Sequence, residues 1–204
     1  MPVDIVECDQ NSPEWYAARL GLPTASAFAD VLAKGEGKTR RAYLCKLAAE
    51  ILTGVPLESY SNPFMERGHA QEEAARRAYS LLTDAEPIRV GFIRNGRKGC
   101  SPDSLIAGAG MLEIKTQRAD LLIETLRLDK FPTAHVAQVQ GALWITEREW
   151  CDIAVYAPGM PLFLKRAFRD DRYIADLARA VDEFLADLDA TVEGVRRYGQ
   201  MEAA

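Results

Sequence analysis

The sequence contains few residues of the kinds that form disulfides or bind soft metals. It has four cysteines, none of them spaced as a C-x-x-C pair, and only two histidines, His69 and His135. This excludes a zinc knuckle, a thiol redox motif and an all-histidine metal site. We expect free thiols, as in a reducing compartment. Any bound metal must be held mainly by carboxylate and carbonyl oxygens, which are the ligands that Mg²⁺ and Mn²⁺ prefer.

Long apolar runs and nucleotide-binding motifs are also missing. No stretch approaches the ~18 consecutive apolar residues of a membrane span. The opening residues MPVDIVECDQ contain no basic region followed by an apolar block. We therefore expect no membrane partner and a cytoplasmic location. The glycines of AGAG (107–110) match neither G-x-G-x-x-G nor G-x-x-x-x-G-K, which argues against a dinucleotide fold and a P-loop.

An overall positive charge is lacking too, since the net charge is -5. Residues 170–204 contain nine acidic and four basic side chains, so this segment accounts for the whole imbalance and residues 1–169 are neutral. Within the neutral part, basic residues cluster in three places, which are Lys34, Lys38, Arg40 and Arg41, then Arg76 and Arg77, then Arg94, Arg97 and Lys98. These clusters either contact a phosphate backbone or simply face solvent.

The hydrophobic spacing predicts a sheet surrounded by helices. Helices are expected at about 13–20 (after Asn11 or Ser12), 25–33, 39–53, 65–82 and 134–146, with a long amphipathic helix at the end. The segments 88–93, 100–103 and 111–116 predict neighbouring strands of a meander, and 151–157 with 162–168 predict a hairpin. We therefore predict an α/β fold with a central mixed β-sheet flanked by α-helices. Residues 1–204 would form one domain, with N-terminal helices at 12–82, a sheet core at 88–168 and a C-terminal helix at 172–196.

Acidic and basic side chains interrupt the apolar strand near residue 113. Alternate residues of a strand share a face, so Glu113 and Lys115 point the same way and Ile114 points to the opposite layer. Asp103, at the end of the neighbouring strand, can meet Glu113. Two close carboxylates need an opposite charge, and a divalent cation bound by Asp103, Glu113 and the carbonyl of Ile114 would supply it. The alternative is an exposed hairpin with a Glu-Lys pair.

The combination of Pro102-Asp103 with Glu113-Ile114-Lys115 is the PD-(D/E)xK nuclease signature. The surrounding segments resemble the phage lambda exonuclease family, also called YqaJ-type viral recombinases, in the same order along the chain. They are SPEWYAARLGLPTAS (12–26), GHAQEEAA (68–75), CSPDSL (100–105), LEIKT (112–116) and AQVQGALWIT (137–146). The resemblance implies a restriction-endonuclease-like core and a metal-dependent deoxyribonuclease.

The family resemblance also implies a detailed activity. The enzyme would be a magnesium-dependent 5′-to-3′ exonuclease on double-stranded DNA ends, with Mn²⁺ able to replace Mg²⁺. Its products would be 3′ single-stranded overhangs for recombination by single-strand annealing. The catalytic residues would be Asp103, Glu113, Lys115, Glu72 and Gln138, and the metal would be held by Asp103, Glu113, Ile114 and Glu72. Glu73 points ~100° away from Glu72 on a helix, so one of the two is expected to have no role in the site.

A terminal-phosphate site is implied at Arg19 and Ser26, which match the family positions for it. Ser26 lies at a predicted helix start, where free N–H groups attract anions, and an arginine binds phosphate through two hydrogen bonds. A plain helix cap and a surface arginine are the alternatives. His69 could contact metal or phosphate, or be structural, and Met65 could wedge into the duplex. The family further implies a trimeric ring and a single-strand annealing protein as partner.

Two other functions compete with the exonuclease. The same core serves structure- or site-specific endonucleases, although these have no use for a terminal-phosphate site. A non-catalytic DNA-end-binding module is the third possibility, and the joint presence of Asp103, Glu113 and Lys115 argues against it.

Overall fold

The computed structural model describes residues 3–33, 37–57 and 63–198, without the side chains of residues 63–70. Its helices are α1 (Pro13–Ala18), α2 (Phe28–Val31), α3 (Lys38–Thr53), α4 (Pro63–Thr83), α5 (Ala119–Leu128), α6 (Val136–Thr146) and α7 (Asp171–Arg197). Its strands are β1 (Asp4–Val6), β2 (Phe92–Asn95), β3 (Lys98–Cys100), β4 (Ser104–Ile106), β5 (Gly110–Thr116), β6 (Trp150–Tyr156) and β7 (Phe163–Phe168). Short 3-10 helices, Ala25–Ala27 and Thr133–His135, precede α2 and α6.

The strands form two sheets. The smaller sheet has the order β1-β2-β3 and is antiparallel throughout. The larger has the order β4-β5-β6-β7, with β5 and β6 parallel and the other pairs antiparallel. A mixed four-stranded sheet flanked by helices confirms the predicted α/β fold class. None of the described helices is long and apolar enough to cross a bilayer.

Local sequence signals explain where the helices begin and end. The Ser12 side chain accepts a hydrogen bond from the Trp15 N–H, and Pro13 occupies the first turn of α1. Gly54 ends α3 in the left-handed conformation (φ 68°), which glycine adopts at little cost. Asp170 accepts hydrogen bonds from two N–H groups of the first turn of α7. These ends agree with the predicted helices.

The predicted meander through residues 100–103 is wrong. Strand β3 ends at Cys100 in the smaller sheet, and β4 begins at Ser104 in the larger one. Between them lies Pro102, which has no N–H to donate to a ladder of strands. The Pro-Asp pair therefore sits where the chain passes from one sheet to the other. Strand β1 and helix α5 are further elements that the sequence analysis did not predict.

The larger sheet is covered by helices on both faces. On one face, Ala75 and Tyr79 of α4 pack with Leu112 and Ile114 of β5. On the other, Met111 of β5 belongs to a larger core shared with side chains of α3, α6 and α7. Helices α4 and α6 therefore bring their side chains to opposite faces of β5, which positions the candidate site.

Candidate active site

Strand β5 carries a carboxylate and an amine side by side. Glu113 is only 5% exposed, and its Oε1 accepts a hydrogen bond from the Lys115 Nζ at 2.8 Å. The alternation of a strand explains the pair, because residues two apart share a face. Because Glu113 is buried, the alternative of an exposed hairpin with a Glu-Lys pair is wrong. A buried carboxylate costs free energy unless it is paired, and Lys115 is its partner.

Gln138 of α6 reaches the same carboxylate. Its Nε2 donates to Glu113 Oε1 at 2.5 Å, so one oxygen of Glu113 accepts hydrogen bonds from two side chains. Gln140, two residues further, has other partners, because it donates to the Phe168 carbonyl and accepts from the Asp170 N–H. Gln140 thus joins α6 to the end of β7 and lies away from Glu113.

Asp103 joins this group from its position just before the neighbouring strand β4. It does not lie at the end of a strand, and its Oδ2 accepts from the Ile114 N–H at 2.5 Å. The register Ser104↔Leu112, continued by one residue, sets Asp103 opposite Glu113. The structure therefore brings together Asp103, Glu113, Lys115 and Gln138, which sequence reasoning had selected.

The acidic groups shift the pKa values of their neighbours. Burial raises the pKa of Asp103 well above its usual range, the charges of Glu113 and Glu72 raise it further, and the Ile114 N–H offsets part of the shift. Burial alone would lower the pKa of Lys115, but the charge and hydrogen bond of Glu113 raise it on balance. Lys115 is therefore an ammonium group at neutral pH.

Glu72 and Glu73 have different surroundings, as expected for adjacent residues of a helix. Glu72 lines a cleft of about 900 Å³ together with Asp103. Glu73 binds three arginines, Arg76, Arg77 and Arg89, with N–O distances of 2.9, 3.3 and 3.1 Å. Glu73 is therefore the residue without a direct place in the acidic group.

The oxygen donors fit a hard divalent cation in part. A cation would relieve the repulsion that Asp103 experiences from Glu113 and Glu72, and Asp103, Glu113 and the Ile114 carbonyl are donors that Mg²⁺ accepts. Among the residues that the structure describes, however, no group of three or more His, Cys, Asp or Glu side chains could hold a metal as it stands. Carbonyl or water ligands are thus required in addition to the carboxylates.

Arg19 and Ser26 lie on either side of one hydroxyl. The Arg19 Nη2 donates to Thr24 Oγ1 at 3.4 Å, and Ser26 Oγ lies 3.3 Å from the same atom. The guanidinium stacks on Trp15, 4.0 Å from the ring centroid, and Trp15 Nε1 donates to Ser101 Oγ at 2.7 Å. Burial lowers the pKa of Arg19. This cation is thus connected through Trp15 to the segment that bears Asp103.

Two of the clustered basic residues pair with acidic side chains of α7. Arg40 and Arg97 form ion pairs of 2.7 and 2.6 Å with Asp187 and Asp189 of α7. The acidic face of α7 therefore pairs with one arginine from each of two basic clusters. The side chains of Met65 and His69 lie outside the described residues.

The sequence analysis took Arg76 only as part of a basic cluster that contacts phosphate or faces solvent, but it is buried beside the acidic group. It donates to Ser104 Oγ at 3.0 Å and to the Asp103 carbonyl at 3.3 Å. A signal was available, because Arg76 follows Glu72 by four residues and precedes Tyr79 by three, so all three share one face of α4. A charged residue on a face that packs against a sheet needs a partner there.

Known proteins match both the sequence and the fold. A family model described as the YqaJ-like viral recombinase domain matches residues 14–149. The alkaline exonuclease LHK-Exo from Laribacter hongkongensis is 34% identical, with a TM-score of 0.84, over 94% of this chain and 100% of that chain. Its complex with dAMP gives 35% identity and a TM-score of 0.87 over the same shares.

A more distant structure shares the fold alone. The phage-related exonuclease from Haemophilus somnus 129PT is 13% identical, with a TM-score of 0.65 over 85% of this chain and 96% of that chain. No curated protein sequence matches the chain.

Fold and site together define a nuclease with a restriction-endonuclease-like core. The chain belongs to the YqaJ-like viral recombinase family. This confirms the predicted family, fold class and enzyme class, and it supports an exonuclease role on DNA. The alternative of a non-catalytic end-binding module is not supported.

Proposed function

We propose that this enzyme is a magnesium-dependent 5′-to-3′ exonuclease that acts on double-stranded DNA ends and leaves 3′ overhangs. The observation that carries the proposal is the convergence of Asp103, Glu113, Lys115 and Gln138 at one end of β5. Asp103, Glu113, the Ile114 carbonyl and Glu72 would hold the Mg²⁺, and Mn²⁺ could replace it. The bound ion would supply a Lewis acid and lower the pKa of a water.

The side chains of the site have separate parts in this hydrolysis. Lys115, kept protonated by Glu113, offsets negative charge that develops on the phosphoryl oxygens. Gln138 holds Glu113 in one orientation by binding its Oε1. Water attacks the phosphorus between the first two nucleotides, and the bond to the 3′ oxygen of the first breaks. The terminal mononucleotide leaves, and the next nucleotide retains the phosphate at its 5′ end.

The polarity would come from a site for that 5′-phosphate. Arg19 and Ser26 are the proposed ligands, and Arg19 borders a cavity of about 80 Å³ that Thr24, Tyr43 and Lys46 also line. Arg19 and Lys46 are two cations beside this cavity, and the one acidic residue among the described residues that line it, Glu50, already accepts from the Gly21 and Leu57 N–H groups. Two cations there suit a terminal phosphate. Each cleavage regenerates a 5′-phosphate, so the same site can serve every cycle. The dAMP bound by LHK-Exo is consistent with a mononucleotide product.

The proposed assembly is a trimeric ring that works with a single-strand annealing protein in the cytoplasm. Large apolar side chains available for contacts between copies include Leu81, Leu82, Ile88 and Phe168, each more than half exposed. Light scattering of the purified chain would test the assembly, and a monomer at micromolar concentration would contradict it.

The activity itself is tested with linear duplexes labelled at either the 5′ or the 3′ end. With Mg²⁺, the 5′ label should be released first, as a mononucleotide, and EDTA should stop the release. Covalently closed plasmid is the control and should remain intact until it is linearised. Early release of the 3′ label would overturn the polarity, and cutting of closed plasmid would favour the endonuclease alternative.

A further inference from the structure

Arg76 is a buried cation in contact with the residue that begins the acidic site. Only 7% of it is exposed. Its Nε donates to Ser104 Oγ at 3.0 Å, its Nη2 to the Asp103 carbonyl at 3.3 Å and its Nη1 to Glu73 Oε2 at 2.9 Å. Each nitrogen of the guanidinium therefore has an acceptor.

These contacts fix the backbone of Asp103 from two directions. Ser104, which is completely buried, donates its own hydroxyl to the Asp103 carbonyl at 2.5 Å while it accepts from Arg76. The carboxylate of Asp103 is held separately by the Ile114 N–H. Asp103 is thus restrained at both its main chain and its side chain.

Arg76 also connects this restraint to the helix that carries Glu72. The two residues are four apart on α4 and so lie on one face, and both border the cleft that Asp103 lines. On the helix side, Glu73 binds Arg76, and Arg89 from the segment before β2 holds Glu73 in turn. One guanidinium therefore spans α4 and the start of β4, the two elements that supply Glu72 and Asp103.

Packing alone does not explain why a charged residue, Arg76, is buried at this position. A buried ion pair is no more stabilising than apolar side chains of the same volume. A planar guanidinium, in contrast, fixes several acceptors at set distances, which an apolar side chain or an ammonium group cannot do. The contacts of Arg76 serve geometry, since they join α4, which carries Glu72, to the segment that carries Asp103.

We propose that Arg76 is a positioning residue that sets the separation of Glu72 and Asp103 through its bonds to Ser104 and the Asp103 carbonyl. The proposal rests on the proposed function, because it takes Asp103 and Glu72 as metal ligands. Partners that orient metal ligands typically change metal affinity or activity by about 10- to 100-fold when they are lost.

The test compares Arg76→Lys with Arg77→Lys. Both substitutions keep the charge, and both arginines bind Glu73, but Arg77 is largely exposed and has no bond to Asp103 or Ser104. Mn²⁺ binding without DNA is followed by electron paramagnetic resonance, and kcat and KM are measured separately. For Arg76→Lys we expect roughly tenfold weaker Mn²⁺ binding and a kcat at least about tenfold lower, with KM for DNA nearly unchanged. Arg77→Lys should match the parent enzyme.

Equal Mn²⁺ affinity in Arg76→Lys and Arg77→Lys would overturn the proposal. If Arg76→Lys does not fold by circular dichroism, Ser104→Ala serves instead, because it removes the hydroxyl that links Arg76 to the Asp103 carbonyl. It should weaken Mn²⁺ binding in the same direction, and unchanged binding would again overturn the role. Asp103→Asn distinguishes failure of the Arg76 proposal from failure of the proposed function. If this variant keeps normal Mn²⁺ binding and cleavage, the proposed metal site itself fails, whatever Arg76 does.

Discussion

Asp103 and Ile114 are joined by a hydrogen bond of 2.5 Å from the Ile114 N–H to the Asp103 carboxylate. The bond adds a side-chain contact to β5 just before the pairing of β4 with β5 begins at Ser104. It also holds a carboxylate beside Glu113, whose charge repels it. The site therefore keeps an electrostatically unfavourable arrangement in place, and this has measurable consequences.

The first consequence concerns stability. The folded pKa of Asp103 lies above the unfolded value, so folding favours the protonated carboxyl. Stability from this group is complete below the unfolded pKa of ~3.9 and is lost as the pH rises through the folded pKa. In EDTA at pH 8, Asp103→Asn should therefore raise the melting temperature, because the amide oxygen can still accept from Ile114 and the charge is gone.

The gain should shrink as the pH falls towards 4, which calorimetry across that range would detect. Asp120→Asn is the matched control, because Asp120 is an exposed aspartate whose pKa is lowered by Arg118. That substitution should not stabilise the protein at pH 8. A melting temperature for Asp103→Asn at or below that of the parent at pH 8 would contradict the argument.

The second prediction concerns Lys115. Lys115→Met removes the ammonium group that binds Glu113 and that we place beside the developing charge, so kcat should fall by roughly 10²–10³-fold. DNA binding, measured by fluorescence anisotropy in Ca²⁺, should stay within about threefold, since one phosphate contact contributes little. Lys165→Met is the control, because Lys165 of β7 lies two strands from Glu113 and pairs instead with Asp129. Normal turnover of Lys115→Met would remove it from the reaction.

The third prediction concerns Arg19. Arg19→Ala removes the cation next to Thr24 and Ser26, so the preference for 5′-phosphorylated over 5′-hydroxyl ends should fall towards one. Initial rates on the two matched duplexes measure it. Arg127→Ala, at an exposed position on α5, should leave the ratio unchanged. A ratio that stays constant in Arg19→Ala would exclude this residue from the phosphate site.

The fourth prediction concerns a buried network on the other face of the sheet. Tyr79 of α4 donates its hydroxyl to Asp152 at 2.8 Å, and Arg166 binds both oxygens of the same carboxylate. Tyr79→Phe should lower the free energy of unfolding by about 1–3 kcal/mol, because a hydrogen bond to a charged group is lost. Cleavage should change little, since Arg166 still pairs with Asp152.

Urea unfolding measures that loss, and Tyr173→Phe provides the control. The hydroxyl of Tyr173 makes no hydrogen bond with the part of the chain that the structure describes, so its removal should cost little. Equal stability of the two variants would show that the bond from Tyr79 to Asp152 does not contribute.

Several features of the fold followed from the sequence alone because local chemistry determines them. Ser12 before Pro13 and Gly54 after an apolar period marked the ends of helices. Alternation along β5 placed Glu113 and Lys115 on one face. The residues that converge at the site belong to short motifs, so their identity was accessible without coordinates.

Other features depend on contacts between distant parts of the chain. The pairing of Arg40 with Asp187 joins residues 147 positions apart, and no local pattern reveals it. Helix α5 escaped prediction because Leu121 and Ile123 are exposed, which blurs its apolar period, and because it ends at Asp129 in a left-handed conformation without the usual glycine. The contacts of Arg76 depend on how α4 lies against β4, which is set by packing.

The connector from Cys100 to Ser104 has a consequence for protein engineering. Three residues, Ser101, Pro102 and Asp103, span the passage between the sheets. Side chains from three other parts of the chain, Trp15, Gln10 and Arg76, are bonded to them. Lengthening this stretch by even one residue would shift the acidic group out of register. Among the described residues, no side chain is hydrogen-bonded to the exposed Pro158-Gly159 turn between β6 and β7, so tags or fused modules belong there.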